Sequence, residues 1–424
     1  MSWSTRGSGY GGGSRGRGRG RGRGGTQFGD AVTIKPLASA SLLSGFEKAK
    51  QIEVHTPGLY DGTPCKPRNV RALSSFDWVD GRTIRVPGLP PVWKEPNLPL
   101  KIEHDSGDAF VDQQAELTSR MGIHRSSGLF AAIDAVDPNF AYEQVDVITD
   151  RNNVKKLYNF IQARDMTPFR IDVRLLGKTV MLTRVEEQNV RDKSDETFNY
   201  GDNFAAAVVD EGKRLHKSSH SRIITYDLGG LKFLLGCKLD ACIFADPAKK
   251  EDTAKVQIKA PRQTFGLTVV HGGRLVPQTS VLEITSKTKE PGYHAWRRLL
   301  LQLLISDTPN LHVGMHFNGN FTSIRRYGAR DIAAKYVDYL GEADQQFGRV
   351  VELLKKVRSV LEKQEEGKVF ALVLSEGKLA LYPTSVERAS DRLPEGILSK
   401  FTTRKEEAGV ELPDFSSLNI SQGK

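Results

Sequence analysis

The sequence predicts an α+β fold, a mixed central β-sheet flanked by helices, preceded by a disordered arginine-glycine tail. Three observations lead there. Beyond about residue 130, short apolar runs bounded by turn residues interleave with runs of helical period. Of 424 residues, 38 % are hydrophobic and 26 % charged, enough to bury one large core or two smaller ones. The first 25 residues hold almost nothing that could be buried. No internal repeat is present, and no apolar run approaches the roughly 18 residues of a helical membrane span, so no membrane partner is expected.

Residues 2–25 are mostly glycine, serine and arginine, with Trp3 and Tyr10 as isolated aromatics. So little apolar surface cannot offset the entropy of ordering, and disorder is expected over 1–30. Net charge is +10, of which Arg6, Arg15, Arg17, Arg19, Arg21 and Arg23 supply six with no acid among them, leaving +4 elsewhere. Alternating Arg-Gly spaces guanidinium groups that pair with phosphates and stack on unpaired bases. Arg15, Arg17, Arg19, Arg21 and Arg23 are therefore the candidate nucleic-acid-binding residues, and RNA is the expected partner; a merely solubilising tail is the alternative. The cysteines, Cys65, Cys237 and Cys242, form no spaced framework, and no signal peptide is evident, which points to a reducing compartment, nucleus or cytoplasm. A mitochondrial address is less favoured, because the N-terminus lacks the apolar residues of an amphipathic helix.

Residues 31–130, rich in proline and turns, read as an extended arm packing Trp78 and Trp93 on the main domain. Its proline segment offers a docking site for a partner such as an exonuclease or another RNA-processing protein. The α+β domain spans 131–415, and 416–424 is a flexible C-terminus. Within the domain the pattern gives a helix over 154–163, a strand pair at 169–175 and 179–185, and a helix over 203–216. Strands follow at 222–226, 232–244, 256–258 and 280–284, then a helix over 292–305, a strand at 311–317 and a long helix over 331–363. A hairpin over 369–382 turns at Glu376-Gly377.

Several catalytic patterns fail. Gly177-Lys178-Thr179 resembles the end of a phosphate-binding loop, but the first glycine of that motif would fall on Asp172 and the flanks read as strands. His216 and His220 have the spacing of a zinc helix, yet Lys217 stands where a general-base glutamate is required. There is no Asp-Asp pair for diphosphate chemistry and no Gly-x-Ser-x-Gly elbow.

What remains is a pair of carboxylates at the ends of expected neighbouring strands, Asp240 and Glu283. Such a pair can hold Mg or Mn, which polarises a phosphate and lowers the pKa of a bound water. The alternative is a partly buried pair satisfied by Lys238, Arg297 or Arg298.

Gly201-Asp202-Asn203-Phe204-Ala205, Lys238-Leu239-Asp240, Glu283-Ile284-Thr285 and the helix carrying Gln302 resemble, in order and type, the motifs of the PD-(D/E)XK nuclease superfamily. The closest likeness is to its decapping-nuclease branch, over roughly 195–330. That resemblance implies a nuclease-like core, action on RNA 5′ ends, Asp240 and Glu283 as metal ligands, Gln302 as a positioning group, and Lys287 in place of the usual lysine. Ala205, Thr285 and Lys238 depart from the family's glutamate, lysine and second glutamate, which implies a degenerate active site. The expected function is RNA binding by a catalytically impaired nuclease-like domain. The alternatives are an active metal-dependent decapping enzyme, pyrophosphohydrolase or exonuclease on RNA 5′ ends, and an adaptor that docks an RNA-processing partner.

Overall fold

The computed structural model describes residues 50–401 apart from 193–198, 211–219, 244–261, 385–391 and a few further positions. The tail 1–30 with its arginines, the strand expected at 256–258 and the terminus 416–424 lie outside the described residues.

Twelve strands form the larger sheet. In order they are Ile52–Glu53, Lys378–Pro383, Val369–Ser375, Phe169–Leu176, Thr179–Val185, Val147–Asp150, Leu231–Leu239, His220–Leu228, Arg68–Trp78, Thr83–Val86, Leu267–His271 and Arg262–Thr264. The two expected hairpins are there. One turns through Gly177 at φ +55° and the other through Glu376 and Gly377 at +51° and +75°, the left-handed conformation that a tight turn requires. The Gly177-Lys178 pair is thus a hairpin turn and not a phosphate loop.

Seven strands make the second sheet, in the order Val209–Asp210, Val92–Trp93, Ala241–Cys242, Val281–Lys287, Asn310–Phe317, Asn320–Gly328 and Leu100–Lys101. Val281–Lys287 and Asn310–Phe317 run parallel, with Glu283 opposite Leu311 and Lys287 opposite Met315. The Tyr293–Ser306 helix makes the crossover between them, the connection that parallel strands need.

Helix limits follow from local chemistry. Asp150 caps the Arg151–Ile161 helix, its Oδ1 accepting the Asn153 N–H at 2.9 Å, and Val154, Leu157, Tyr158 and Ile161 bury one stripe. In Tyr293–Ser306, Trp296, Leu300, Leu301 and Leu303 are buried, as their crowding in sequence suggests. Asp307 ends that helix in the left-handed region at φ +47°. The long helical stretch covers Ala329–Lys335 and Val337–Leu361, and its apolar face packs into the same core.

Three expectations need correction. The segment read as an arm supplies an internal strand: Arg68–Trp78 lies between His220–Leu228 and Thr83–Val86, with Leu73, Phe76 and Trp78 buried. Residues 73–78 are all buried, so the strand shows no alternation and its neighbouring prolines dominated the composition. The Ser127–Val136 helix also crosses the expected boundary at 130. The helix expected over 203–216 is Gly201–Ala207, after which Val209–Asp210 pairs with Val92–Trp93, as β-branched residues favour. Finally, Asn320–Gly328 is a strand that polar composition concealed; within it only Phe321 is fully buried.

Candidate functional site

Asp240 follows the Leu231–Leu239 strand directly, and Glu283 is the third residue of Val281–Lys287. One Asp240 carboxylate oxygen accepts the backbone N–H of Ile284 at 3.1 Å, which ties the two segments together beside Glu283. Glu283 is 7 % exposed. Its Oε1 accepts a hydrogen bond from the Gln302 amide, and its Oε2 accepts one from the Arg151 guanidinium at 3.1 Å. Three residues expected to act together, Asp240, Glu283 and Gln302, therefore do converge. Lys287 lies on the same strand face, four residues further along.

The other expected participants sit elsewhere. Ala205 packs with the apolar cluster of Phe204, Ala241, Leu282 and Ile284. Lys238 is exposed and approaches Asp240 only to 3.8 Å. Arg297 pairs with Glu342 instead of the carboxylates. On the neighbouring strand Asn310–Phe317, His312, which was not among the expected participants, is buried edge-on to Trp93 at 4.3 Å, its Nδ1 lacking a hydrogen-bond partner among the described residues. Burial, then the nearby Arg326, pulls it down to about 4, so it is neutral near pH 7. His220, weighed as a zinc ligand, instead donates its Nδ1–H to Asp77 Oδ1 at 2.7 Å within a buried strand pair.

Arg151 is the residue that motif matching passes over. Its helix begins three residues before the expected start, because Asp150 is the cap, and that puts Arg151 in the first turn with its guanidinium on Glu283. The capping rule applied to Asp150-Arg151-Asn152-Asn153 finds the start; nothing local shows that the side chain reaches a strand 132 positions away. Asp150 also accepts from Arg125 at 3.1 Å, and Arg125 is held by Asp112 at 2.8 Å, so the helix start is anchored by a charged network.

Burial and then the adjacent Asp240 carboxylate push Glu283 up to about 7, against the opposing pull of Arg151. Burial alone would lower Arg151, but Glu283, Cys237 and Asp240 outweigh it and hold the guanidinium charged. Near neutral pH Glu283 is therefore close to half-protonated, beside a guanidinium that stays charged. Among the described residues no group of three or more His, Cys, Asp or Glu side chains converges as a metal site. With both Glu283 oxygens bonded to nitrogen donors, this donor set does not fit a divalent cation.

The family described as "Domain of unknown function (DUF8563)" matches residues 67–398. The chain belongs to that family. No curated protein matches it. Solved structures do. The crystal structure of S. pombe Rai1 superposes with a TM-score of 0.52 at 11 % identity, covering 79 % of this chain and 99 % of that one. Candida albicans Rai1 in complex with pU5-Mn2+ gives 0.50 at 12 % identity, covering 79 % and 93 %. K. lactis Dxo1 in complex with manganese gives 0.50 at 12 % identity, covering 80 % and 97 %. Similarity at this identity shows the fold: the DUF8563 chain has the mixed sheet flanked by helices of Rai1 and Dxo1, in agreement with the decapping-nuclease-like branch that its motifs resemble.

Proposed function

We propose that this chain is an RNA-binding protein whose decapping-nuclease-like domain has lost efficient metal-dependent hydrolysis. The observation that carries the proposal is the Arg151 guanidinium on Glu283. A fixed positive group bonded to one of the two converging carboxylates occupies the electrostatic role of a cation and opposes the entry of a second. Ala205, Lys238 and Thr285, which stand where the resembled family has ligating or charge-stabilising side chains, act in the same sense. RNA as the ligand is supported by the arginines of the tail and by the pU5 bound to Candida albicans Rai1.

Calorimetry with manganese on the whole chain tests the loss of metal chemistry. Weak or absent binding, unchanged in Asp240→Ala, is expected. The convergence of Asp240, Glu283 and Gln302, together with the manganese in similar structures, favours an active metal-dependent enzyme as the second reading. Manganese-dependent product release from 5′-end-modified RNA that disappears in Asp240→Ala would replace the first reading with the second. Binding of single-stranded RNA should weaken steeply with salt, and deleting residues 1–25 should flatten that slope, because each phosphate neutralised releases counterions.

A further inference from the structure

Phe317 is the most exposed large apolar side chain among the described residues, at 77 % against 40 % for Leu98. It ends the Asn310–Phe317 strand at the tip of a hairpin whose turn residues, Asn318 and Gly319, lie in the left-handed region at φ +46° and +76°. The turn is pinned. Ile102 donates its backbone N–H to the Gly319 carbonyl at 2.8 Å, and Gly319 donates its own to His316 Nδ1 at 3.4 Å. The buried His316 ring lies against Tyr200 at 4.9 Å and Phe321 at 4.7 Å. A flat apolar ring is thus held out in water on a backbone fixed beneath it.

Phe317 faces the carboxylate side of its sheet. The irregularity after Met315 puts its extra residue, Thr322, on the partner strand, so the alternation from Leu311 through Val313 and Met315 to Phe317 is unbroken. Leu311 is the register partner of Glu283, and Met315 is that of Lys287. Phe317 therefore stands in the same line, six residues past Leu311 and about 20 Å beyond Glu283. Across the tip Phe317 pairs with Asn320 and Asn320 with Lys101, so these three exposed side chains share one row of the sheet. Among the described residues neither Lys101 nor Lys287 takes part in a hydrogen bond or an ion pair.

A single apolar residue on a surface is ordinary, and only its surroundings give it meaning. The centre of a protein interface gathers several aromatic or apolar anchors and is poor in lysine. Here one ring stands between two lysines and an amide, with no carboxylate in its own row or in the Lys287 row before it. That is what an unpaired nucleobase requires, one flat apolar surface for the base and cations for the phosphates that flank it. We propose that Phe317 is a stacking platform for an unpaired base of single-stranded RNA, with Lys101 and Lys287 receiving the phosphodiesters on either side of it. The contact reads neither the 5′ end nor the sequence, because every base has the face that the ring needs, and it rejects a duplex, whose bases are already stacked. The inference rests on the RNA-binding reading and adds to it a place on the folded domain, apart from the tail, that holds the RNA.

The test is fluorescence anisotropy of the whole chain with a dye-labelled oligouridine carrying a 5′-hydroxyl, over a series of salt concentrations. Phe317→Ala should weaken binding about tenfold without changing the salt slope, and Phe317→Trp should keep the wild-type affinity. Lys101→Gln should instead lower the slope by about one. The tail is common to every variant and its electrostatic share falls as salt rises, so the Phe317→Ala loss should be as large at high salt as at low. Against the same strand in a duplex, Phe317→Ala and wild type should bind alike. Because the ring is exposed, the urea midpoint of Phe317→Ala should match the wild type, which separates a lost contact from a lost fold. Equal affinity of wild type and Phe317→Ala for the single strand overturns the platform and leaves the RNA-binding reading. No binding by the wild type removes both. Unchanged RNA affinity together with a protein partner lost in Phe317→Ala assigns the tip to that partner and overturns the platform as well.

Discussion

The strand Val281–Lys287 packs apolar side chains on one face and carries Glu283 and Lys287 on the other, and the comparison shows how one element can be scaffold and site at once. On the even-numbered face Leu282 and Ile284 are buried with Phe204, which stacks on Phe321 at 4.2 Å with the rings 5° apart. Gly314 leaves the room that the Phe204 ring occupies: a Cβ there would stand 2.4 Å from it. On the odd-numbered face Glu283 meets Arg151 and Gln302, with Lys287 further along. The packed face resists any change of volume. The other face depends on charge balance, because Glu283 is held by the Arg151 guanidinium.

Four substitutions sharpen or break that contrast. Phe204→Ala removes a fully buried ring from the packed face and should cost about 3–5 kcal/mol of stability by urea denaturation. A cost under about 1 kcal/mol would show that the helix carrying it is not what closes this face. Arg151→Ala strands the buried Glu283 and should cost about 3 kcal/mol. In the same variant manganese binding should appear, since the carboxylates then lack a resident cation; calorimetry reads it directly.

Glu283→Gln tests the raised pKa of Glu283. A carboxyl whose folded pKa lies above its unfolded value adds stability that is complete below about 4.5 and is lost as pH rises through about 7. The wild type should therefore fall relative to the glutamine variant across that window, by on the order of 3 kcal/mol, with no further change above pH 8. Parallel stability curves would mean that Arg151 keeps Glu283 ionised throughout. Lys238→Ala should change stability by less than about 0.5 kcal/mol, since its side chain is 57 % exposed and 3.8 Å from Asp240.

Much of this was legible in the sequence, and what was not has identifiable physical reasons. The hairpins at Gly177 and at Glu376-Gly377 announce themselves because turn residues interrupt alternating runs. The convergence of Asp240, Glu283 and Gln302 could be anticipated from the motif order they share with the resembled nuclease superfamily, while the lone amide among leucines showed only that Gln302 needs some partner. The buried strand Arg68–Trp78 was hidden because burial on both faces erases alternation. Asn320–Gly328 was hidden for the opposite reason, being largely polar. Arg151 could not be found by motif, since its role depends on two helices packing over a strand that lies far away in sequence.

The Arg151–Glu283 pair also bears on how the site comes into being. A metal centre is completed by a solute, so its occupancy follows the free concentration of that solute and the protons it must displace. A guanidinium is tethered to the chain, and its effective concentration at Glu283 is set by the fold rather than by the medium. The positive charge of Arg151 thus arrives with the Arg151–Ile161 helix as the domain folds, in the same amount whatever the divalent ions around it.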